Sequence, residues 1–184
     1  LRKYDAAPDQ LDTQALTDAL LAAMQRGLRG EAGGLPMLPA YLAPHGHVTA
    51  PEDKRVAVID AGGTNFRVAT VHYEFGQPII EDERTLPMPG SEQDADWMDF
   101  IRLLDRVTQI GICFSYPAEN TPELDAKVLG MTKEVQLTGW EDHLVGADLA
   151  EELERRGCTK LPITVINDTP ATYLSGSTTI ANNY

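Results

Sequence analysis

An α/β or α+β domain built around a mixed sheet is the class this sequence predicts, and three observations carry it. Short β-branched runs interleave with stretches of helical periodicity along the chain. The first runs follow one another directly as a meander, with Gly62-Gly63 between the leading pair. Helical patterns come after that meander rather than before it, apart from one at the start.

The elements follow in order. Residues Asp9 to Gly30 place Leu11, Ala15, Leu16, Ala19, Leu20, Ala23 and Met24 at three- and four-residue spacing, one apolar stripe of a helix. Asp9 is a suitable cap, and Gly27 or Gly30 a suitable end. From Glu31 to Asp53 the chain is rich in Gly and Pro and reads as an ordered connector without regular structure. Arg55 to Asp60 is a strand, Ala61-Gly62-Gly63-Thr64-Asn65 a tight turn, and Phe66 to Phe75 the second strand of a hairpin. Pro78 to Leu86 supplies a third strand. Ala95 to Arg106 reads as a helix, with Trp97, Phe100, Ile101 and Leu104 on one face. Gln109 to Phe114 is a strand ended by Ser115-Tyr116-Pro117. Gly146 to Arg156 is an amphipathic helix with Leu149 and Leu153 inward. Ile163 to Ile166 is a strand that stops at Asn167-Asp168, and Thr169 to Leu174 begins a helix with Pro170 in its first turn.

Composition narrows the function. Lys and Arg total 15 against 28 Asp and Glu in 184 residues, a net charge of −13. Such a chain is a poor partner for nucleic acid or an anionic membrane, whose phosphates require basic side chains. An anionic small molecule stays compatible, because a metal ion and a few local donors can outweigh the global field. Two cysteines, Cys113 and Cys158, make no disulfide framework or CxxC zinc site and suit a cytoplasmic setting. No apolar run approaches the ~20 residues of a membrane span. The polar start lacks both a signal-peptide core and an initiator Met, so the sequence is expected to belong to a longer polypeptide.

Four segments hold the candidate chemistry. In Asp60-Ala61-Gly62-Gly63-Thr64-Asn65-Phe66-Arg67 an acid closes a strand and two glycines open a turn. Glycine lets backbone turn sharply and approach a ligand, and successive N–H groups there can cradle an anion. Thr64, Asn65 and Arg67 add donors, and Asp60 can hold a hydrated Mg²⁺. The same residues also suit a plain hairpin turn. Asn167-Asp168 stands at the carboxyl end of a strand, where ligands of open α/β sheets bind. Asp168 there can accept a proton from a hydroxyl that Asn167 orients, or either residue can cap the helix that follows. Ser115 and the pair Thr132-Lys133 offer donors suited to sugar hydroxyls, though each is also ordinary loop chemistry. The four histidines lack metal-site spacing, with His45 and His47 solvated. Cys113 reads as a small core residue rather than a nucleophile. Trp97 and Trp140 read as packing residues.

Taken together and in order, these segments resemble the hexokinase family. Val58 to Val68 is similar to its first phosphate motif, Gly111 to Pro117 to its sugar segment, Thr132-Lys133 to its Thr-Lys pair, and Val165 to Thr169 to the strand that ends in the catalytic aspartate. The resemblance spans roughly Arg55 to Leu174. It implies an actin-like ATPase (ribonuclease H-like) two-lobed fold and ATP-dependent phosphorylation of a hexose, glucose in the first instance, at its primary hydroxyl. It implies Asp168 as general base and Ser115, Thr132, Lys133 and Asn167 as hexose ligands. Asp60, Gly62, Gly63, Thr64, Asn65 and Arg67 would face the phosphates of ATP, whose Mg²⁺ Asp60 would help to hold. Residues 1–50 would form a helix and connector packing on the large lobe, 51–166 the small lobe, and 167–184 the start of the large lobe.

Departures from the family pattern are few. Tyr116 stands where Phe is usual, a mild change, and Glu134-Val135 follows the Thr-Lys pair where Gly-Phe is usual. The stretch between Trp97 and Gln109 is short for the family. The later glycine-rich phosphate segment, the two sugar-binding glutamates and the adenosine region are expected beyond Tyr184. The alternative function is a non-catalytic sugar-binding or regulatory relative.

Overall fold

Five strands in the order β3-β2-β1-β4-β7 make the central sheet: β1 (Val56–Ala61), β2 (Asn65–Glu74), β3 (Gln77–Pro87), β4 (Gln109–Phe114) and β7 (Ile163–Ile166). The computed structural model describes residues 3, 7, 11–42, 52–62, 65–87, 104–130 and 142–180. The chain divides into two units, Leu1–Pro39 and Ala40–Tyr184, and the sheet belongs to the second. β1, β2 and β3 form an antiparallel meander, while β4 and β7 join β1 in parallel. The mixed sheet the sequence predicts is therefore present, with boundaries within one or two residues of those read from the pattern.

The meander needs tight reversals, and its residues supply them. Phe75 (φ 52) and Gly76 (φ 73) both adopt the left-handed region between β2 and β3. That is the two-residue turn whose twist matches paired strands. Between the pairs Val68–Arg84 and Thr70–Glu81, β3 carries one residue more than β2, and Asp82 takes a φ of 52 there. This is a bulge, which bends the outer strand.

Alternation along the parallel strands sorts the two faces. Ala57, Ile59 and Ala61 of β1, Ile110, Ile112 and Phe114 of β4, and Val165 of β7 are buried on one face. The helix α2 (Val145–Arg155) packs there through Leu153, with Val145 and Leu149 partly buried beside it. Leu149 and Leu153 thus point inward as their spacing predicts. A two-stranded hairpin of β5 (Ala118–Asn120) and β6 (Ala126–Val128) adds the buried Ala126 and Val128 to the same core. The sequence pattern does not reveal these two strands. Each is three residues long, too short for a period to show.

Three further elements complete the description. In the first unit α1 (Thr13–Leu28) is capped by Asp12, whose carboxylate accepts the Ala15 N–H at 3.0 Å. The expected cap, Asp9, lies outside the described residues. The helix runs to Leu28 with Arg29 at its C-cap, and Gly30 just beyond takes φ 68, whereas Gly27 lies inside the helix. Gly27 serves close approach instead: a Cβ there would sit 1.8 Å from the Leu35 carbonyl oxygen. The expected apolar stripe exists, but none of α1's residues is buried. Of the helix predicted over Ala95 to Arg106, residues 95–103 lie outside the described part, and Leu104–Arg106 forms a single 3-10 turn. α3 (Asp168–Ile180) starts immediately after β7 and runs longer than the sequence reading.

Candidate functional site

The carboxyl ends of β1, β4 and β7 meet at one edge of the sheet. Register aligns Asp60 with Cys113 across β1–β4, and Cys113 with Ile166 across β4–β7. One residue past each alignment the chain leaves the sheet. Ala61-Gly62, Phe114-Ser115 and Asn167-Asp168 therefore emerge side by side, from three segments far apart in sequence.

Asp60 and Arg67 are cross-strand partners on β1 and β2, so their side chains share a face. An Arg67 guanidinium N–H donates to Asp60 Oδ2 at 3.2 Å, and both side chains stay about half exposed. A surface pair of this kind contributes little stability. Its effect is to hold a cation and an anion at the mouth of the glycine turn. Gly62 begins that turn and Asn65 begins β2. Gly63 and Thr64, and the Asn65 side chain, lie outside the described residues.

Ser115 and Tyr116 follow β4, and both reach back to the exit of β1. The Ser115 backbone N–H donates to the Ala61 carbonyl at 3.2 Å. The Tyr116 hydroxyl donates to the Gly62 carbonyl at 2.9 Å. The Tyr116 ring is buried and lies against Phe114 at 5.3 Å between centroids, a tilted aromatic pair.

At the end of β7 the structure shows which of Asn167-Asp168 takes the capping role. Asn167 is the cap: its Oδ1 accepts the Thr169 N–H at 3.3 Å, and its backbone carbonyl accepts the Ala171 N–H at 3.0 Å. Asn167 Nδ2 also donates to the Phe114 carbonyl at 3.1 Å, which ties the ends of β7 and β4 together. Asp168 is left in the first turn of α3, exposed, with one oxygen accepting the Thr169 hydroxyl at 3.4 Å. A carboxylate so placed is open to a substrate hydroxyl.

Cys113 corrects its sequence reading. Alternation places it on the face opposite Ile112 and Phe114, half-buried among the site residues rather than in the core. Burial pushes its thiol up from the ordinary value, the Asp60 and Asp168 carboxylates push it further, and a hydrogen bond with Ser115 opposes them. The strand register places Asp60, Cys113 and Asp168 at the same end of the sheet. Burial likewise raises the Tyr116 phenol.

β7 is an edge strand, and a turn braces its free side. Leu124, at φ 62, turns its carbonyl to accept the Val165 N–H at 2.7 Å. Asp125 beside it caps α2 from outside: its carboxylate accepts the N–H groups of Gly146 at 2.7 Å and Ala147 at 3.0 Å, together with that of Ala126 at 2.7 Å. Leu144, the residue at the cap position, offers no side-chain bond. Gly146 leaves the room, since a Cβ there would come within 3.0 Å of the Asp125 carboxylate. The sequence gives no sign of this role, because Asp125 is 21 residues from the helix start it serves.

The structure thus brings together Asp60, Gly62, Arg67, Ser115, Asn167 and Asp168. Thr132 and Lys133 lie outside the described residues. Among the described residues no group of three or more His, Cys, Asp or Glu converges as a metal cluster. Among them, too, no helix is long and apolar enough to cross a membrane.

An antiparallel meander continued by parallel strands, with acidic residues at the strand ends, defines this chain as part of an actin-like ATPase fold. The hexokinase family model matches residues 3–178, and the chain belongs to that family. It is 31% identical to hexokinase-3 of Mus musculus over 92% of this chain and 20% of the mouse protein. It is 27% identical to the hexokinase of Schistosoma mansoni over 90% of this chain and 40% of that protein. The structure of the Schistosoma enzyme complexed with glucose superposes with a TM-score of 0.65, at 27% identity, over 83% of this chain and 38% of that one. The chain spans roughly one fifth to two fifths of the length of the curated relatives it matches.

Proposed function

We propose that this chain carries the sugar site and the first phosphate site of an ATP-dependent hexose kinase. One observation carries the reading: the ends of three parallel strands in a hexokinase-family chain hold an exposed Asp168 beside Ser115 and Asn167, with the Asp60–Arg67 pair at the adjoining glycine turn.

Asp168 acts as general base. It takes the proton of the sugar's primary hydroxyl as that oxygen attacks the γ-phosphorus of ATP, and ADP leaves. Ser115 binds hexose hydroxyls from the end of β4. Asn167, whose amide already bridges β4 and α3, orients the base and offers its remaining N–H to the sugar. Thr132 and Lys133, a few residues after β6, complete the hexose ligands. Discrimination among sugars follows from polar groups that a wrong analogue would leave unpaired.

MgATP is the second substrate. Gly62, Gly63, Thr64 and Asn65 offer backbone and side-chain donors to its phosphates, and Arg67 adds positive charge. Asp60 would hold the nucleotide's magnesium through its half-exposed carboxylate, and the ion would neutralise phosphate charge. In this reading residues 51–166 belong to the small lobe and 167–184 to the start of the large lobe. The Schistosoma relative is complexed with glucose, which supports glucose as the first hexose to test.

The test is ADP release by the full-length natural protein with MgATP and, separately, glucose, mannose and fructose. Hexose-dependent ADP formation is the expected result. Glucose binding without any ADP formation would overturn the kinase reading and indicate a sugar-binding relative.

A further inference from the structure

We propose that the Tyr116 hydroxyl is a positioning group that fixes the glycine turn against the sugar segment, so that the hexose site and the phosphate site share one brace. The inference rests on the sugar-kinase reading and extends it to a residue whose ring alone would satisfy packing.

Consecutive residues of the β4 exit grip consecutive carbonyls of the β1 exit. Ser115 holds the Ala61 carbonyl through its backbone N–H, and Tyr116 holds the Gly62 carbonyl through its side chain. The first bond belongs to any sequence at this position. The second exists only because the residue is Tyr. Tyr116 is 1% exposed and its ring lies tilted against Phe114, so a Phe would fill the same space. The added hydroxyl is a buried polar group, costly without hydrogen bonding, and it donates to the Gly62 carbonyl at 2.9 Å.

The bond matters because of where Gly62 sits. Without a side chain, its peptide rotates with little steric restraint. A carbonyl held against the buried phenol loses that freedom, and Gly62 is the first residue of the proposed phosphate cradle. The same β4 exit carries Ser115.

Tyr116→Phe in the full-length protein removes only the hydroxyl. Loss of one neutral hydrogen bond is expected to lower kcat/KM for ATP about three- to tenfold. The dissociation constant for glucose should stay within about twofold. A merely structural role would scale down both substrates alike, so equal losses, or an unchanged kcat/KM for ATP, would overturn the proposal. Amide exchange supplies the second readout. In Tyr116→Phe the amides of Asn65 and Phe66 should exchange faster, while Ile110 and Ile112 in β4 keep their protection. Unchanged exchange at the turn would overturn the brace. A wild type that makes no ADP with any hexose would instead sink the kinase reading. Exchange alone would then decide whether Tyr116 holds the turn.

Discussion

Asp125 offers the sharpest test of how the site is held, because one carboxylate does three things. It accepts N–H groups from Ala126, Gly146 and Ala147, the last two being the otherwise unpaired donors at the start of α2. Asp125→Ala removes all three bonds. Replacing a capping side chain by Ala costs about 0.5–2 kcal/mol, and a hydrogen bond to a charged group contributes about 1.5–3 kcal/mol. The released donors are only partly buried, so water recovers a share, and about 2–3 kcal/mol is the net expectation. At tenfold per 1.4 kcal/mol, protection of the Gly146 and Ala147 amides should fall roughly 30- to 140-fold. In a domain of about 150 residues the melting temperature should drop by about 5–10 °C. Asp125→Asn keeps one acceptor and should lose about half as much. Hydrogen exchange followed by NMR reads the two amides directly. Unchanged protection at Gly146 and Ala147 in Asp125→Ala would refute the capping argument, whatever the global melt shows.

Two further outcomes are expected. Arg67→Ala leaves Asp60 without its cross-strand partner and should raise KM for ATP several-fold more than KM for the hexose; equal effects on both would count against a phosphate role for the turn. Burial, with Asp60 and Asp168, raises the Cys113 thiol above its ordinary 9.0, and burial raises the Tyr116 phenol above its ordinary 10.0. The folded state therefore keeps protons that the unfolded chain releases. Their stabilising contribution is complete below pH 9 and declines as pH rises through 9 and 10 toward the raised values. Urea midpoints should fall between pH 8.5 and 11, and fall less in Cys113→Ala combined with Tyr116→Phe; parallel pH profiles would contradict the assignment.

Much of the sheet was legible because its strands are β-branched runs closed by turn residues, from Val56–Ala61 to Ile163–Ile166. The hairpin of Ala118–Asn120 and Ala126–Val128 was not, since three-residue strands leave no period and their pairing depends on the turn between them. Asp60, Ser115, Asn167 and Asp168 could be singled out because strand ends of an α/β sheet are where ligands bind. Local propensity could not tell which of Asn167 and Asp168 caps the last helix; the hydrogen bond from the Thr169 N–H to Asn167 does so. Cys113 was misplaced because an apolar run hides which face each residue takes until its neighbours pair. Asp125 and the Tyr116 hydroxyl were invisible for a related reason. Their partners, Gly146 and Gly62, are 21 and 54 residues away, and only the tertiary fold brings them within 3 Å.

The assignment of Asp168 as the base is tested most directly by Asp168→Asn, assayed side by side for glucose affinity and for hexose-dependent ADP formation from MgATP. The change keeps size and helix position while removing the proton acceptor. Turnover should fall by at least about a hundredfold, with glucose affinity retained. A variant that turns over at the wild-type rate would contradict the account, as would one that loses glucose binding in proportion to turnover.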